Sequence, residues 1–331
     1  MHPHSTKEII RYALCGRIGM RRTKLVLSLA MAIAAVRVTS ADGRAPVATR
    51  MRHVVFHLGK GIDLQVGDLS GHLISRTKSP PVFDDVNSYL LAIDSARVSM
   101  TPQSLANVMN NVVFAAPDAP LKNLRIAVDG HELVQSGTLR KGVGVPFSMR
   151  ATLAATPDGW IRVHPTAIKA AGLVPKGVLD FLGLHLDRLV KLNGTAAVKI
   201  EGDDLLLDPQ GLLPPPAIRG HLTKVWIENG LVVERFGEEN ARPELAPPDA
   251  NVRNYMYYRG GVLRFGKLTM EDTDLLLVDA DQKDAFDFSP ERYNVQLVAG
   301  YSKTTPSHGL IVFMPDLNDL ETARTARSAR R

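Results

Sequence analysis

The sequence predicts an α+β protein built on a long curved antiparallel sheet, with one or two apolar helices and additional C-terminal strands. Three observations lead there. Short runs alternate apolar and polar residues with a period of two. Asp-Gly and Asn-Gly pairs separate several of these runs and read as hairpin turns. Two segments carry apolar residues at helical spacing instead.

The elements follow in order. Residues 42–52 are polar and Arg-containing and read as a linker. A domain is expected over 53–236. It opens with strands at Val54–Phe56 and Ile62–Val66 and a third over Asp68–Ile74. Tyr89–Met100 reads as one long strand. Leu91, Ile93, Ser95, Arg97 and Ser99 fall on one face, and Leu90, Ala92, Asp94, Ala96, Val98 and Met100 on the other. Thr101 caps a helix with Pro102 at its first position. Leu105, Val108, Met109, Val112 and Val113 form its apolar stripe, and Ala116-Pro117 ends it. Four strands then form a meander: the Leu124–Val128 run, Glu132–Arg140, Val145–Ala155 and Trp160–Ala170. The turns at Asp129-Gly130 and Asp158-Gly159 sit in this series.

The second helix, Lys176–Leu192, holds Val178, Leu179, Phe181, Leu182, Leu184, Leu186, Leu189 and Val190. That is too apolar for a surface helix. Short strands follow at Thr195–Ile200 and Asp204–Leu207. The three prolines 214–216 make a stiff connection. Arg219–Phe236 folds as a hairpin about Asn229-Gly230. Residues 237–253 are a Pro-rich linker or loop. A C-terminal β-rich segment over 254–320 has strands at Tyr255–Tyr258, Val262–Phe265, Leu275–Val278, Gln296–Ala299 and Leu310–Met314. Residues 321–331 read as a disordered basic tail.

Composition bounds the function. The chain has 331 residues, 45% apolar and 22% charged, enough for a sizeable core and unlike a disordered, collagenous or polytopic membrane protein. The sequence pI of about 9.4 invites a nucleic-acid reading. The charge distribution argues against it. Residues 1–41 contain seven Lys or Arg against Glu8 alone, and the tail adds Arg324, Arg327, Arg330 and Arg331. The body between them is not basic, so no nucleic-acid partner is expected.

The basic start has another reading. Met20–Lys24 is a positively charged run, Leu25–Val36 is apolar, and small residues follow at Thr39–Ala41. Residues 20–41 therefore read as a signal peptide, with 1–19 as an upstream extension. An uncleaved anchor is the alternative. The chain's single cysteine, Cys15, lies in the extension. The expectation is an exported protein, periplasmic or associated with the cell envelope.

Chemical motifs are sparse. His53 and His57 have the spacing of a helical zinc pair, but the residues between them are β-formers and no Glu accompanies them. Asp279, Asp281, Asp284 and Asp287 form a carboxylate run. It lacks the Gly and Glu of a calcium-binding helix–loop–helix, since Asp284 and Pro290 stand in their places, so it reads as a solvated acidic loop. Gly142–Phe147 is a turn rather than a phosphate loop. No metal, cofactor or catalytic residue is assigned. The apolar helices either fill the core or roof an apolar groove.

The order and texture of Ile93–Phe236 resemble bacterial exported domains of the tubular lipid-binding type. These include the phospholipid-binding proteins of mycobacterial mannan elongation and related uncharacterised envelope families. The resemblance rests on the Thr101–Leu105 helix start, Ile126–Gly130, Leu133–Gly137, Val145–Phe147, the Trp160–Val163 strand leading to the apolar Val178–Leu192 segment, and Leu231–Val233. It implies a sheet wrapped around a long helix, with acyl chains in the groove and no catalysis. Groove residues would be Leu105, Val108, Met109 and Val112 on one helix and Phe181, Leu182 and Leu189 on the other. The expected partner is a lipid or other hydrophobic small molecule, with peripheral membrane contact. Two alternatives stay open. One is a structural or interaction β-protein docking on another envelope component. The other is a hydrolase with a dispersed site about Asp279–Asp287.

Overall fold

Strand structure begins at Val47, well before His53. Val47–Arg52, read from the sequence as part of a linker, is the first half of a strand, with Val47, Thr49 and Met51 buried. The sequence reading misjudged it because Arg50 and Arg52 flank the inward residues. The computed structural model describes residues 44–141, 143–170, 191–192, 195–238 and 245–320. They lie in one compact unit.

In chain order the elements are β1 (Val47–His57), β2 (Asp63–Ser75), β3 (Tyr89–Met100), α1 (Pro102–Val108), β4 (Leu121–Asp129), β5 (Glu132–Lys141), β6 (Val143–Ala155), β7 (Ile161–Ala170), β8 (Lys191–Leu192), β9 (Thr195–Ala196), β10 (Val198–Glu201), β11 (Asp204–Leu207), α2 (Pro209–Leu212), β12 (Ala217–Arg219), β13 (Leu222–Glu228), β14 (Leu231–Phe236), β15 (Tyr255–Arg259), β16 (Val262–Phe265), β17 (Leu268–Glu271), β18 (Asp274–Asp279), β19 (Phe286–Phe288), α3 (Tyr293–Ala299), β20 (Tyr301–Thr304) and β21 (Leu310–Met314).

Two sheets dominate. The larger runs β13-β14-β3-β2-β1-β15-β18-β21-β20, with β12 beside β3 and β19 beside β1. It is mostly antiparallel; β12, β19 and β21 pair in parallel with β3, β1 and β18. The smaller runs β10-β11-β7-β6-β5-β4. Its β4–β7 portion is the antiparallel meander that the Asx-Gly turns predict. The β13–β14 hairpin turns at Asn229 and Gly230, both at positive φ, as the tight turn demands.

α1 starts as expected. The Thr101 hydroxyl accepts the Ser104 N–H at 3.0 Å, and Pro102 occupies the first turn. A π-helical turn, Met109–Val113, carries the helix on.

The structure cuts the chain differently from the sequence reading. Residues 254–320 do not stand apart from 53–236: β15 pairs with β1, with Arg50 opposite Tyr257 and Met51 opposite Met256. The meander is the insertion, placed between β3 and β12. Gln296–Ala299 is helical, not a strand, because Tyr293 and Gln296 bury one face of α3. The Gln296 amide donates to the Asp287 and Pro315 carbonyls and accepts the Ser289 N–H. Ile62–Val66 and Asp68–Ile74 are one strand, β2. Of the segment Lys176–Leu192, residues 176–190 lie outside the described residues; Lys191 and Leu192 pair as strand with Thr195 and Ala196.

Candidate functional site

Strict alternation would put the apolar residues of β1, β2 and β3 on changing faces. Each strand instead slips phase once. In β1, Met51 and Phe56 have opposite parity, and His53 between them takes φ 48°. In β2, Leu64 and Val66 precede Gly67, an extra residue against β3, and Leu69 and Leu73 follow it. In β3 the extra residue is Asp94, which divides Tyr89 and Leu91 from Ala96 and Val98. The two-face reading of Tyr89–Met100 is corrected here. These bulges bend the strands and keep one face apolar throughout.

That face carries the main candidate site, an apolar cavity of about 90 Å³. Its floor is Met51 and Phe56 of β1, Leu64, Val66, Leu69 and Leu73 of β2, Tyr89 and Leu91 of β3, and Tyr258 of β15. Its roof is the 76–88 loop with Leu213, Pro214 and Pro216. Phe83 anchors the loop. Its N–H donates to the Arg264 carbonyl at 2.8 Å. Its ring meets Phe265, Tyr293, Tyr258 and Phe288 edge-on, with centroids 5.0, 5.5, 5.7 and 6.0 Å away. Such edge contacts suit the quadrupoles of aromatic rings. The loop closes on itself through Ser75 and Ser88, whose hydroxyls bond to the Ser79 and Asp85 carbonyls at 2.5 and 2.6 Å.

The wall contains two phenols. Burial raises the pKa of both Tyr89 and Tyr258, so both stay protonated. The Tyr258 O–H lies 3.7 Å from the Met256 sulfur, and a side-chain hydrogen bond with Thr49 partly offsets its rise. Beside it, and opposite it in register, stands Thr49. Its hydroxyl is buried beside the phenol.

The groove residues expected from sequence lie elsewhere. Met109 lines a second apolar cavity, about 60 Å³, between the meander and the π-turn, with Phe114, Phe147, Met149 and Leu207. Leu105, Val108 and Val112 pack into the hydrophobic core. Phe181, Leu182 and Leu189 lie outside the described residues. None of the four described ones lines the main cavity. Its residues come from strands whose phase changes hid their common face.

Two polar constellations flank the same sheet. His57 closes β1, its Nδ1 2.7 Å from Asp63 Oδ1 and its Nε2 bonded to Asp287 Oδ1. The bond to Asp287, reinforced by Asp63 and opposed by burial, raises the imidazole to about 9. Both nitrogens are engaged, so His53 and His57 do not act as a zinc pair. The carboxylates of Asp279, Asp281, Asp284 and Asp316 gather within 4.8 Å of one another. This is the oxygen-rich set that a hard cation favours. The sequence reading of a solvated loop over Asp279–Asp287 is corrected in part: Asp279 and Asp287 are buried, while Asp281 and Asp284 are exposed, and buried Asp316 joins them. Asp279 and Asp316 each have a protein partner. Asp279 accepts from the Asn254 amide at 3.0 Å, and Asp316 from the Asp287 N–H at 2.7 Å. Desolvation, reinforced by Asp279, Asp284 and Asp287, pushes Asp316 up to about 7. Asp316 is distant in sequence from the other three, so no local motif announces it.

Among the described residues no helix is long and apolar enough to cross a membrane. Comparisons with family models, curated proteins and solved structures return no match for this chain.

Proposed function

We propose that the protein is an exported, non-catalytic binder of a hydrophobic ligand, of the periplasm or cell envelope, and that the cavity beneath Phe83 is where the ligand sits. The observation that carries this reading is the cavity's lining. Among the described residues, every side chain on it is apolar or phenolic, and none is charged. A wall of this kind favours apolar matter by roughly 25 cal/mol per Å² buried.

A volume of about 90 Å³ exceeds several-fold the roughly 10–15 Å³ that one water needs. It suits one slender apolar group rather than a whole phospholipid. The tubular lipid-binding resemblance, with a sheet wrapped around a helix, belongs to this proposal as well. So do the signal peptide over 20–41 and peripheral contact with a membrane.

The test is native mass spectrometry of protein purified from a membrane-containing host. A discrete added mass that extracts into organic solvent supports the reading. A clean apo mass, with no uptake of offered lipid, overturns it.

A second reading, docking on another envelope component, draws on β20. This edge strand is exposed along its length, beside Val298 at 86% exposure on α3. Unpaired strand edges accept further strands. A stable crosslinked complex with no bound lipid would favour it.

A further inference from the structure

We infer that the outer face of β1, β2, β3, β14 and β13, opposite the cavity, binds a phosphate-bearing small molecule, and that Arg97, Arg235 and Arg253 are the cations that hold its phosphates. This stands apart from the hydrophobic-ligand reading.

Register carries the argument. Residues directly opposite one another on neighbouring strands share a face. One such row crosses five strands: Arg52 of β1, Asp68 of β2, Arg97 of β3, Arg235 of β14 and Lys224 of β13. It holds four bases and one acid, and the acid is already engaged by Arg50 at 2.7 Å. Arg97, Arg235 and Lys224 therefore stand on consecutive strands, about 4.8 Å apart from one to the next. Like charges directly opposite destabilise a sheet. Glu228 relieves only part of this, accepting from Arg97 at 2.8 Å and from the Trp226 indole at 2.7 Å. Lys224 lies over the Trp226 ring, 5.0 Å from its centroid. Among the described residues Arg235 forms no ion pair, and its Nε is buried without a hydrogen-bond partner. Such orphaned donors are rare in native proteins. A row that burdens the fold in this way suits an anion that completes it.

At Arg97 the row opens onto a polar cleft of about 400 Å³, floored by Gln65, Gly67 and Ser99 and walled by Arg253, Asn254 and Lys283. Gly67 keeps the floor open. A Cβ there would lie 3.8 Å from Arg97 Nη1 and 3.4 Å from the Arg97 carbonyl oxygen, so the backbone accepts a side chain in ordinary contact. Among the described residues the Arg253 guanidinium meets no carboxylate; it donates to the Gln282 carbonyl at 3.0 Å. Lys283 is paired with Asp281 at 3.1 Å. Asp284 is the one acid on the lining, and its carboxylate gathers with Asp279, Asp281 and Asp316. Guanidinium forks match phosphate oxygens in pairs, and cations one strand apart suit a group carrying more than one negative charge.

The experiment is calorimetric titration of the full chain with inorganic pyrophosphate. Pyrophosphate should bind at low salt and more weakly as salt rises. Arg97→Gln, Arg235→Met and Arg253→Gln should each weaken it about tenfold, and so should Gly67→Leu, which fills the floor. Arg125→Gln, on the meander, should leave it unchanged. Arg235→Met keeps the apolar stem and removes the like-charge contact, so the ligand-free variant should be at least as stable to urea as the parent. Stability and binding then move in opposite directions, which an arginine with a merely structural role does not give. Phosphatidylglycerol vesicles form the second arm. Cosedimentation that pyrophosphate reverses assigns the phosphate to a lipid headgroup, and its absence assigns it to a soluble ester. No binding of pyrophosphate, binding that all four variants retain, or a less stable Arg235→Met chain overturns the inference and leaves the cavity reading standing.

Discussion

The two halves of the large sheet solve burial in opposite ways. β15, β18 and β21 are short and unbroken, and they are buried on both faces. Tyr255 and Tyr257 pack with Leu276 and Val278 on one side, while Met256, Tyr258, Leu275 and Leu277 join the main core on the other. Their sequences accordingly read as continuous apolar runs, as doubly covered strands do. β1, β2 and β3 are long, each slips phase once, and their outer face carries polar residues such as Arg50, Asp68 and Ser70. Arg50 donates to Asp68 at 2.7 Å and to Ser70 at 3.0 Å on that face. The cavity lies mainly on the second half, to which β15 adds Tyr258. Over the bulged strands the loop led by Phe83 covers the apolar face and leaves the cavity between.

That contrast can be broken by substitution. Leu276→Ala, in the doubly covered half, should cost about 4 kcal/mol in urea unfolding and leave uptake of an apolar ligand, read by native mass spectrometry, unaltered. Phe83→Ala should cost about 3 kcal/mol and abolish that uptake, because it removes the roof. If Leu276→Ala abolished binding and Phe83→Ala did not, the two halves would have been assigned the wrong way round.

His57 tests the seam between the halves, where β19 joins β1. His57→Gln leaves buried Asp287 without its cation. Breaking such a pair costs roughly 3–5 kcal/mol when fully buried; Asp63 is half exposed, so about 2 kcal/mol is expected here. The folded-state pKa is raised to about 9. The stabilisation is therefore complete below about pH 6.5 and fades as pH rises through 9. Unfolding midpoints of parent and variant should converge at alkaline pH. A gap that widened there would contradict the ion-pair account.

The smallest effects concern two carboxyls raised by burial. Glu234 lies on the core side of β14 with Val232 and Phe236, and desolvation lifts it to about 7; Asp316 is lifted similarly. The folded state then binds protons more readily than the unfolded chain between about pH 4 and 7, so stability falls as pH rises across that window. Glu234→Gln and Asp316→Asn should each flatten the slope by about 1 kcal/mol, read by thermal unfolding with chelator present. An unchanged slope in both would remove burial as its cause.

Much of the architecture was legible. The Asx-Gly turns located the meander and the β13–β14 hairpin, and Thr101-Pro102 located α1. What stayed hidden was non-local or phase-shifted. Leu64-Val66 and Leu69-Leu73 differ in parity, so one bulged strand read as two. Four residues, Gln296–Ala299, are too few to separate a helical period from a strand period. Nothing local tells Arg50 that it will face Tyr257, or Asp279 that Asp316 will join it. The site was misplaced for the same reason. Greasy helices advertise themselves by composition, whereas the cavity wall is assembled from six strands and the segments that join them.

β1 has one further consequence, for the order of events as the chain is made. Its far edge is completed by β15 along Ala48–Arg52 and by β19 along Val54–Phe56, both from the last quarter of the chain. Until those residues have been synthesised, β1 presents an unpaired edge above an unfinished core. Such edges are the surfaces through which growing chains pair wrongly with one another. Sheet closure over so long a separation is also slow. This places the vulnerable period late in the chain's synthesis, and makes truncation before Tyr255 a route to aggregation rather than to a smaller stable fold.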